Sequence, residues 1–146
     1  MNKGLTLLLG ILLLTVATAG IAGDRHNGKS GHGYNDPVVV PAMGFSAEFT
    51  GHSVTMQWKR YLRDDLKFYK VVKSESNPDP VYPEDGYIFY SGNPADTAFE
   101  DTKIAPGTWH YRLCIVTQGG DRWVSPVVTV EIESGGGKVP DASDFQ

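Results

Sequence analysis

Apolar and polar residues alternate in a series of short segments between residues 43 and 132. Alternation with period 2 is typical of β-strands that bury one face, and helical spacing does not recur. Turn-forming residues separate the segments, as at 50–52 (TGH) and 118–121 (QGGD). The pattern predicts an all-β chain folded as an antiparallel sandwich or barrel. Its apolar positions are Met43, Phe45, Ala47, Phe49, Val54, Met56, Trp58, Tyr69, Val71, Tyr87, Ile88, Phe89, Tyr90, Phe99, Trp109, Tyr111, Leu113, Ile115, Val124, Val128, Val130 and Ile132.

The start of the chain has a different pattern. Lys3 precedes an apolar run from Leu5 to Val16, and small residues follow, which is the order of a secretory signal peptide. The run is shorter than the roughly 20 residues that a membrane helix needs. We therefore expect residues 1–22 to be a signal peptide, cleaved after Ala19 or Ala22 rather than kept as an anchor. The mature protein is then secreted, periplasmic or extracellular, with no membrane insertion.

Two segments flank the alternating region and contain few apolar residues. Residues 23–36 and 133–146 are rich in Gly, Ser, Asp and Lys, so they cannot offset the entropy of ordering. We interpret the first as a flexible linker and the second as a flexible tail. Residues 37–132 form the predicted folded domain, and a chain of 146 residues has room for one such core.

Five segments of this domain carry a more specific signal. They are 54–58 (VTMQW), 69–71 (YKV), 97–102 (TAFEDT), 106–113 (PGTWHYRL) and 125–130 (SPVVTV). In this order and spacing they resemble a fibronectin type III domain. Residues 82–88 (YPEDGYI) are similar to a stretch in bacterial secreted members of that family.

The resemblance covers about 95 residues and implies an immunoglobulin-like antiparallel β-sandwich of about seven strands. Trp109 stands where the family has a corner tyrosine whose hydroxyl ties strand to loop. Since an indole can only donate a hydrogen bond, we expect that tie to be altered or lost. The predicted interior consists of Met56, Trp58, Tyr69, Val71, Phe99, Tyr111, Leu113 and Ile115.

Charge is distributed unevenly along the chain, whose net charge is -4. Residues 59–73 contain six basic residues and two acidic ones, whereas residues 75–101 contain seven acidic residues and no basic one. The overall charge argues against nucleic acid as the main partner. The uneven distribution is typical of solvated loops, and it leaves open head-to-tail contact or binding of a divalent cation. The carboxylates for such a cation are Glu75, Asp79, Glu84 and Asp85.

No residue pattern indicates catalysis or a cofactor. Residues 23–30 (GDRHNGKS) match the letters of a phosphate-binding loop, but they lack the strand before and the helix after that the chemistry needs. His26 and His32, with Asp24 and Asp36, lie in a linker and make at best a weak metal site. No nucleophile has an evident base. We expect a non-enzyme with no metal and no cofactor.

Cys114 is the single cysteine, so an internal disulfide is excluded. It has the parity of Arg112, opposite to Leu113 and Ile115, and is therefore predicted to face away from the core. Most cysteines of this kind are inert and half-buried. An intermolecular disulfide is the alternative in an oxidising compartment, so we expect a monomer with a minor disulfide dimer.

Surface aromatic residues are the best candidates for a binding face. The aromatics predicted nearest the surface are Trp123, Tyr82, Tyr87 and Tyr90, and together with Arg122, which lies beside Trp123, they make a possible binding face. We expect a secreted, non-enzymatic protein-interaction module whose partner is an unknown extracellular protein. The alternative is an accessory carbohydrate-binding module that stacks glycans on these aromatics.

Overall fold

Nine strands and one short 3-10 helix build the part of the chain that the computed structural model describes, residues 31–134. The predicted signal peptide, the phosphate-loop-like pattern and His26 lie outside this range. The strands are β1 (Val38–Val39), β2 (Ser46–Phe49), β3 (Val54–Gln57), β4 (Leu66–Ser74), β5 (Phe89–Ser91), β6 (Ala98–Asp101), β7 (Gly107–Thr117), β8 (Arg122–Val124) and β9 (Val128–Ile132), with the 3-10 helix at Pro41–Met43.

The strands form two sheets packed as a sandwich, which confirms the predicted all-β fold. The larger sheet has the order β1-β8-β7-β4-β5, with β9 also paired to β7, and the smaller has the order β2-β3-β6. The pairs are antiparallel except β1 with β8, which is parallel. The alternation did not predict β1, because its two valines are both exposed.

Strand β7 organises the larger sheet, because it pairs with β8 along one half and β9 along the other. The step between them falls at Ser125-Pro126, where proline cannot donate to a ladder. Ser125 keeps the opposite backbone satisfied, since its N–H donates to the Leu113 carbonyl at 2.9 Å and its Oγ accepts from the Leu113 N–H at 3.1 Å. The step therefore costs β7 no backbone hydrogen bond at Leu113.

The main core lies between the two sheets. Of the predicted interior, Phe99 is half-buried against the core and the other seven residues are buried. Trp58 is central, with its ring centroid 5.7 Å from that of Tyr69 and 5.8 Å from that of Phe89. The period-2 alternation was thus in the correct phase for this face of the sandwich. Met43 is also buried, but it belongs to the 3-10 helix rather than to a strand.

A buried polar group joins the two sheets. Asp101, at the end of β6, accepts hydrogen bonds at Oδ2 from Lys73 Nζ on β4 at 2.7 Å and from the Tyr111 hydroxyl on β7 at 3.0 Å. Its Oδ1 accepts from the Lys103 N–H at 3.0 Å. Burial, followed by the Asp101 carboxylate, raises the pKa of Tyr111. The side chains of Lys73 and Asp101 are both nearly inaccessible to water. Removal of either one would therefore leave the other as an unpaired buried charge, which is strongly destabilising.

The corner at the start of β7 retains a side-chain tie despite the absence of tyrosine. The Trp109 indole Nε1 donates a hydrogen bond to the Ala105 carbonyl at 2.8 Å. The tie is therefore altered in its donor rather than lost.

Replacement of Leu113 by alanine tests the core. Leu113 is fully buried, so Leu113→Ala is expected to lower the free energy of unfolding by roughly 2–5 kcal/mol through lost burial and a residual cavity. Chemical denaturation measures the change. Glu131→Ala, at an exposed position of β9, is the control and should stay within about 0.5 kcal/mol of the wild type. Equal effects of the two substitutions would contradict this assignment of the core.

Candidate functional site

A groove of about 360 Å³ opens at one end of the sandwich, beside the loop 58–65 that joins β3 to β4. This volume is near the lower end of the about 300–1,000 Å³ found for ligand pockets. The lining is mostly apolar, with Ile115 of β7 and Trp123 of β8 as part of the floor. The lining residues are Val40, Ala42, Met43, Lys59, Arg60, Tyr61, Leu62, Arg63, Ile115 and Trp123.

The loop 58–65 is held to the scaffold by several hydrogen bonds. The Lys59 N–H donates to the Met43 carbonyl at 2.8 Å, and the Tyr61 N–H donates to the hydroxyl of core residue Tyr69 at 2.8 Å. The Tyr61 hydroxyl donates to Asp65 Oδ1 at 2.8 Å. Burial, then this carboxylate, raises the pKa of Tyr61 to about 12. The loop therefore presents its side chains from a fixed backbone.

Three cations lie around the groove, and no carboxylate lines it. Arg63 pairs with Asp65 at 2.9 Å, whereas neither Lys59 nor Arg60 forms an ion pair within residues 31–134. Leu62 lies among them and is 88% exposed, the most exposed of the large apolar side chains in that range. An apolar floor, a basic rim and an exposed leucine together form a surface suited to a partner with apolar and anionic groups.

Trp123 belongs to this groove rather than to a face shared with the tyrosines. It is half-buried and packs against the main core, and its indole Nε1 is buried without a well-aligned hydrogen bond. Its strand neighbour Arg122 points to the opposite side of the larger sheet, as alternation requires. The two residues therefore cannot share one binding face.

The outer face of the larger sheet is covered by residues 75–88, which we call the covering segment. Cys114, Val116 and Val124 form a second apolar cluster there, with Val81 and Tyr82 of the segment packed on it. Alternation predicted that Cys114 points outward but not that another part of the chain lies over it, and it was wrong for Val124, which it placed on the core side.

Two buried arginines attach the covering segment to the sheet. Arg112 donates to Asp79 Oδ1 at 2.6 Å, and Arg122 donates to both oxygens of Glu84 at 3.1 and 2.9 Å. Arg122 also donates to the Tyr82 carbonyl at 2.8 Å and the Asn35 carbonyl at 2.8 Å. Arg122 is only 2% exposed. Arg122 therefore contributes no exposed side chain to the predicted binding face.

Lys70 lies beneath the same segment and is surrounded by aromatic rings. Its Nζ is 3.6 Å from the ring centroid of Tyr87, 4.4 Å from that of Tyr90, 4.9 Å from that of Tyr82 and 5.0 Å from that of Phe68. Cations are attracted to such ring faces. Burial lowers the pKa of Lys70. This lysine holds the tyrosines against the sheet.

The three predicted surface tyrosines differ in exposure. Tyr82 is half-buried, whereas Tyr87 and Tyr90 are 47% and 57% exposed. The rings of Tyr87 and Tyr90 meet edge to face at 82°. They lie on the outer face, opposite to the side on which Trp123 packs. The predicted five-residue face is thus divided between two sides of the sheet, with Arg122 buried.

The acidic residues of the covering segment make ion pairs and hydrogen bonds within the protein. Asp79 and Glu84 pair with the two arginines, and Asp85 Oδ2 accepts from the Val81 N–H at 2.9 Å. Asp85 also accepts from the Asn77 side-chain amide at 3.0 and 3.1 Å. Across the described range, no group of three His, Cys, Asp or Glu side chains is arranged to hold a metal ion. The geometry gives the divalent-cation alternative no support.

Cys114 is fully buried, so the expectation of an accessible outward thiol is wrong. Its parity is as predicted, but the covering segment closes that face. Burial raises the pKa of the thiol from 9.0 to about 12, despite the nearby guanidinium groups of Arg122 and Arg112. The expected intermolecular disulfide loses its physical basis, because the thiol cannot reach a second copy without opening of the segment.

Compared with protein-family models and with curated protein sequences, this chain matches none. In residues 31–134, no helix is long and apolar enough to cross a membrane. The groove and the covered outer face are therefore the features of the molecule that indicate its function.

Thiol labelling tests the closed outer face. Cys114 of the native protein should resist iodoacetamide and become reactive only after unfolding, and the protein should remain monomeric on non-reducing electrophoresis. Rapid labelling under native conditions, or a dimer that disappears in Cys114→Ser, would contradict the assigned burial.

The same thiol predicts a pH dependence of stability. Folding raises the pKa of the Cys114 thiol from 9.0 to about 12. Above pH 9 the unfolded chain loses this proton while the folded protein keeps it, so the free energy of unfolding falls as pH rises toward about 12. The free energy of unfolding of the wild type should therefore fall relative to that of Cys114→Ser over this interval. A constant difference between the two proteins would contradict a protonated, buried thiol.

Proposed function

We propose that this protein is a secreted, non-enzymatic protein-interaction module of the fibronectin type III kind, and that the groove beside loop 58–65 is its binding surface. The sandwich supplies a rigid support, and loops at the ends of such scaffolds commonly carry recognition. The sequence pattern of residues 1–22 supports secretion.

The observation that carries this proposal is the exposure of Leu62 beside a groove with an apolar floor. A large apolar side chain at 88% exposure gains free energy when a partner covers it. Its neighbours in the loop are held by hydrogen bonds to Met43 and Tyr69, so little further ordering is needed on binding. Leu62 and the apolar lining of the groove form an exposed apolar surface rimmed by charged residues, and such surfaces mark interaction sites.

Carbohydrate binding is the second candidate, and the exposure of Tyr87 and Tyr90 favours it. Their geometry is less suited to sugar stacking, because the rings are nearly perpendicular and both contact the Lys70 ammonium. Leu62 belongs to the groove, whereas Tyr90 lies on the outer face of the larger sheet. A substitution at each position therefore tests the two candidate functions separately.

The test is a pull-down from the native culture medium or envelope with the mature wild-type protein, Leu62→Asp and Tyr90→Ala as parallel baits. Both substitutions are at exposed positions. We expect a protein, identified by mass spectrometry, that the wild type and Tyr90→Ala retain and Leu62→Asp loses.

A glycan array with the same three proteins completes the comparison. Saturable glycan binding that Tyr90→Ala abolishes would replace the proposal with the carbohydrate alternative. An unrelated sandwich domain serves as the control bait in the pull-down. If none of the three baits retains a protein that this control does not, the proposed interaction function is also overturned.

A further inference from the structure

We infer that the groove recognises an acidic protein segment that inserts one large apolar side chain, a conclusion that rests on the proposed function and specifies its partner. The size of the cavity is the first argument. At about 360 Å³ it is large enough for one large anchoring side chain, and its apolar lining stabilises such a group by removing it from water.

The charge around the groove gives the second argument. Lys59, Arg60 and Arg63 surround the opening, and none of the lining residues is acidic. Lys59 and Arg60 are exposed and have no ion pair within the described residues. Carboxylates that flank the anchor therefore meet cations that are not already neutralised.

The contrast with the rest of the molecule is the third argument. The chain carries a net charge of -4, so its overall charge does not attract an acidic segment. In the outer face the arginines are already paired with Asp79 and Glu84. The cluster of Lys59, Arg60 and Arg63 at the groove is thus a local surface that attracts an acidic segment against the overall charge.

Leu62 favours a protein segment over a small anionic amphiphile. Leu62 projects from the rim and is 88% exposed. A small molecule bound only inside the groove does not cover this side chain, so the leucine stays exposed to water. A polypeptide that inserts one side chain into the groove also covers the rim. Both apolar surfaces are then buried together.

The probe is a capped heptapeptide with a central phenylalanine and three glutamates on each side, compared with the same peptide carrying lysines. Binding to the full mature protein is followed by ¹H–¹⁵N NMR at the Trp123 indole and the Ile115 amide. The acidic peptide should shift both signals saturably, with weaker binding at higher salt, and the basic peptide should leave them unchanged.

Two variants with equal charge change supply the control. Arg60→Glu should weaken binding of the acidic peptide by about five-fold or more, since an exposed ion pair contributes up to about 1 kcal/mol and reversal adds repulsion. Lys67→Glu alters an exposed lysine outside the groove lining and should weaken it by less than about two-fold. Dispersed spectra of both variants establish that they are folded.

Three results would overturn the inference: no binding of the acidic peptide, equal binding of both peptides, or equal effects of the two variants. Any of these, together with a partner lost by Leu62→Asp in the pull-down, would refute the partner chemistry and leave the interaction module standing. Failure of the pull-down as well would refute both.

Discussion

Burial of strands β4 and β7 on both faces is the constraint on which the rest of the structure depends. One face contributes Tyr69, Val71 and Leu113 to the core between the sheets, and the other places Arg112 and Cys114 under the covering segment. Buried charges are stable only when they are paired or contact polarisable groups. The acidic and aromatic composition of residues 75–88 follows from this requirement, because the segment must supply partners to the arginines and rings to Lys70.

The acidic residues of the covering segment and the basic residues of loop 58–65 consequently have different roles. Three acidic residues of the stretch, Asp79, Glu84 and Asp85, fix the covering segment through ion pairs and hydrogen bonds. The basic residues of loop 58–65 are instead left at the rim of a groove, with Arg63 alone of the three cations paired there. Charge that stabilises the fold is thus separated in space from charge that remains free to meet a partner.

Sequence alternation predicted the all-β class and most of the core, but not β1, the 3-10 helix at Met43 or the site. It placed Trp58, Tyr111 and Leu113 correctly because each strand has one face on the core. It gave the correct direction for Cys114 but not its burial, since period 2 assigns a direction and cannot reveal that a distant segment covers that face. The groove was missed because its floor joins Val40, Met43, Ile115 and Trp123, which are far apart in the chain. A leucine among basic residues at 59–63 was the only local signal.

The parallel pairing of β1 with β8 has a mechanical consequence. The described chain enters at the end where β8 begins and leaves at the end where β9 stops, so the two termini of the domain are at opposite poles. Tension between them pulls β1 and the β8–β9 edge in opposite directions along their length. The hydrogen bonds of the Val38–Trp123 and Val39–Val124 pairs, and that of the Val40 N–H to the Val124 carbonyl, are then loaded together in shear rather than broken one at a time.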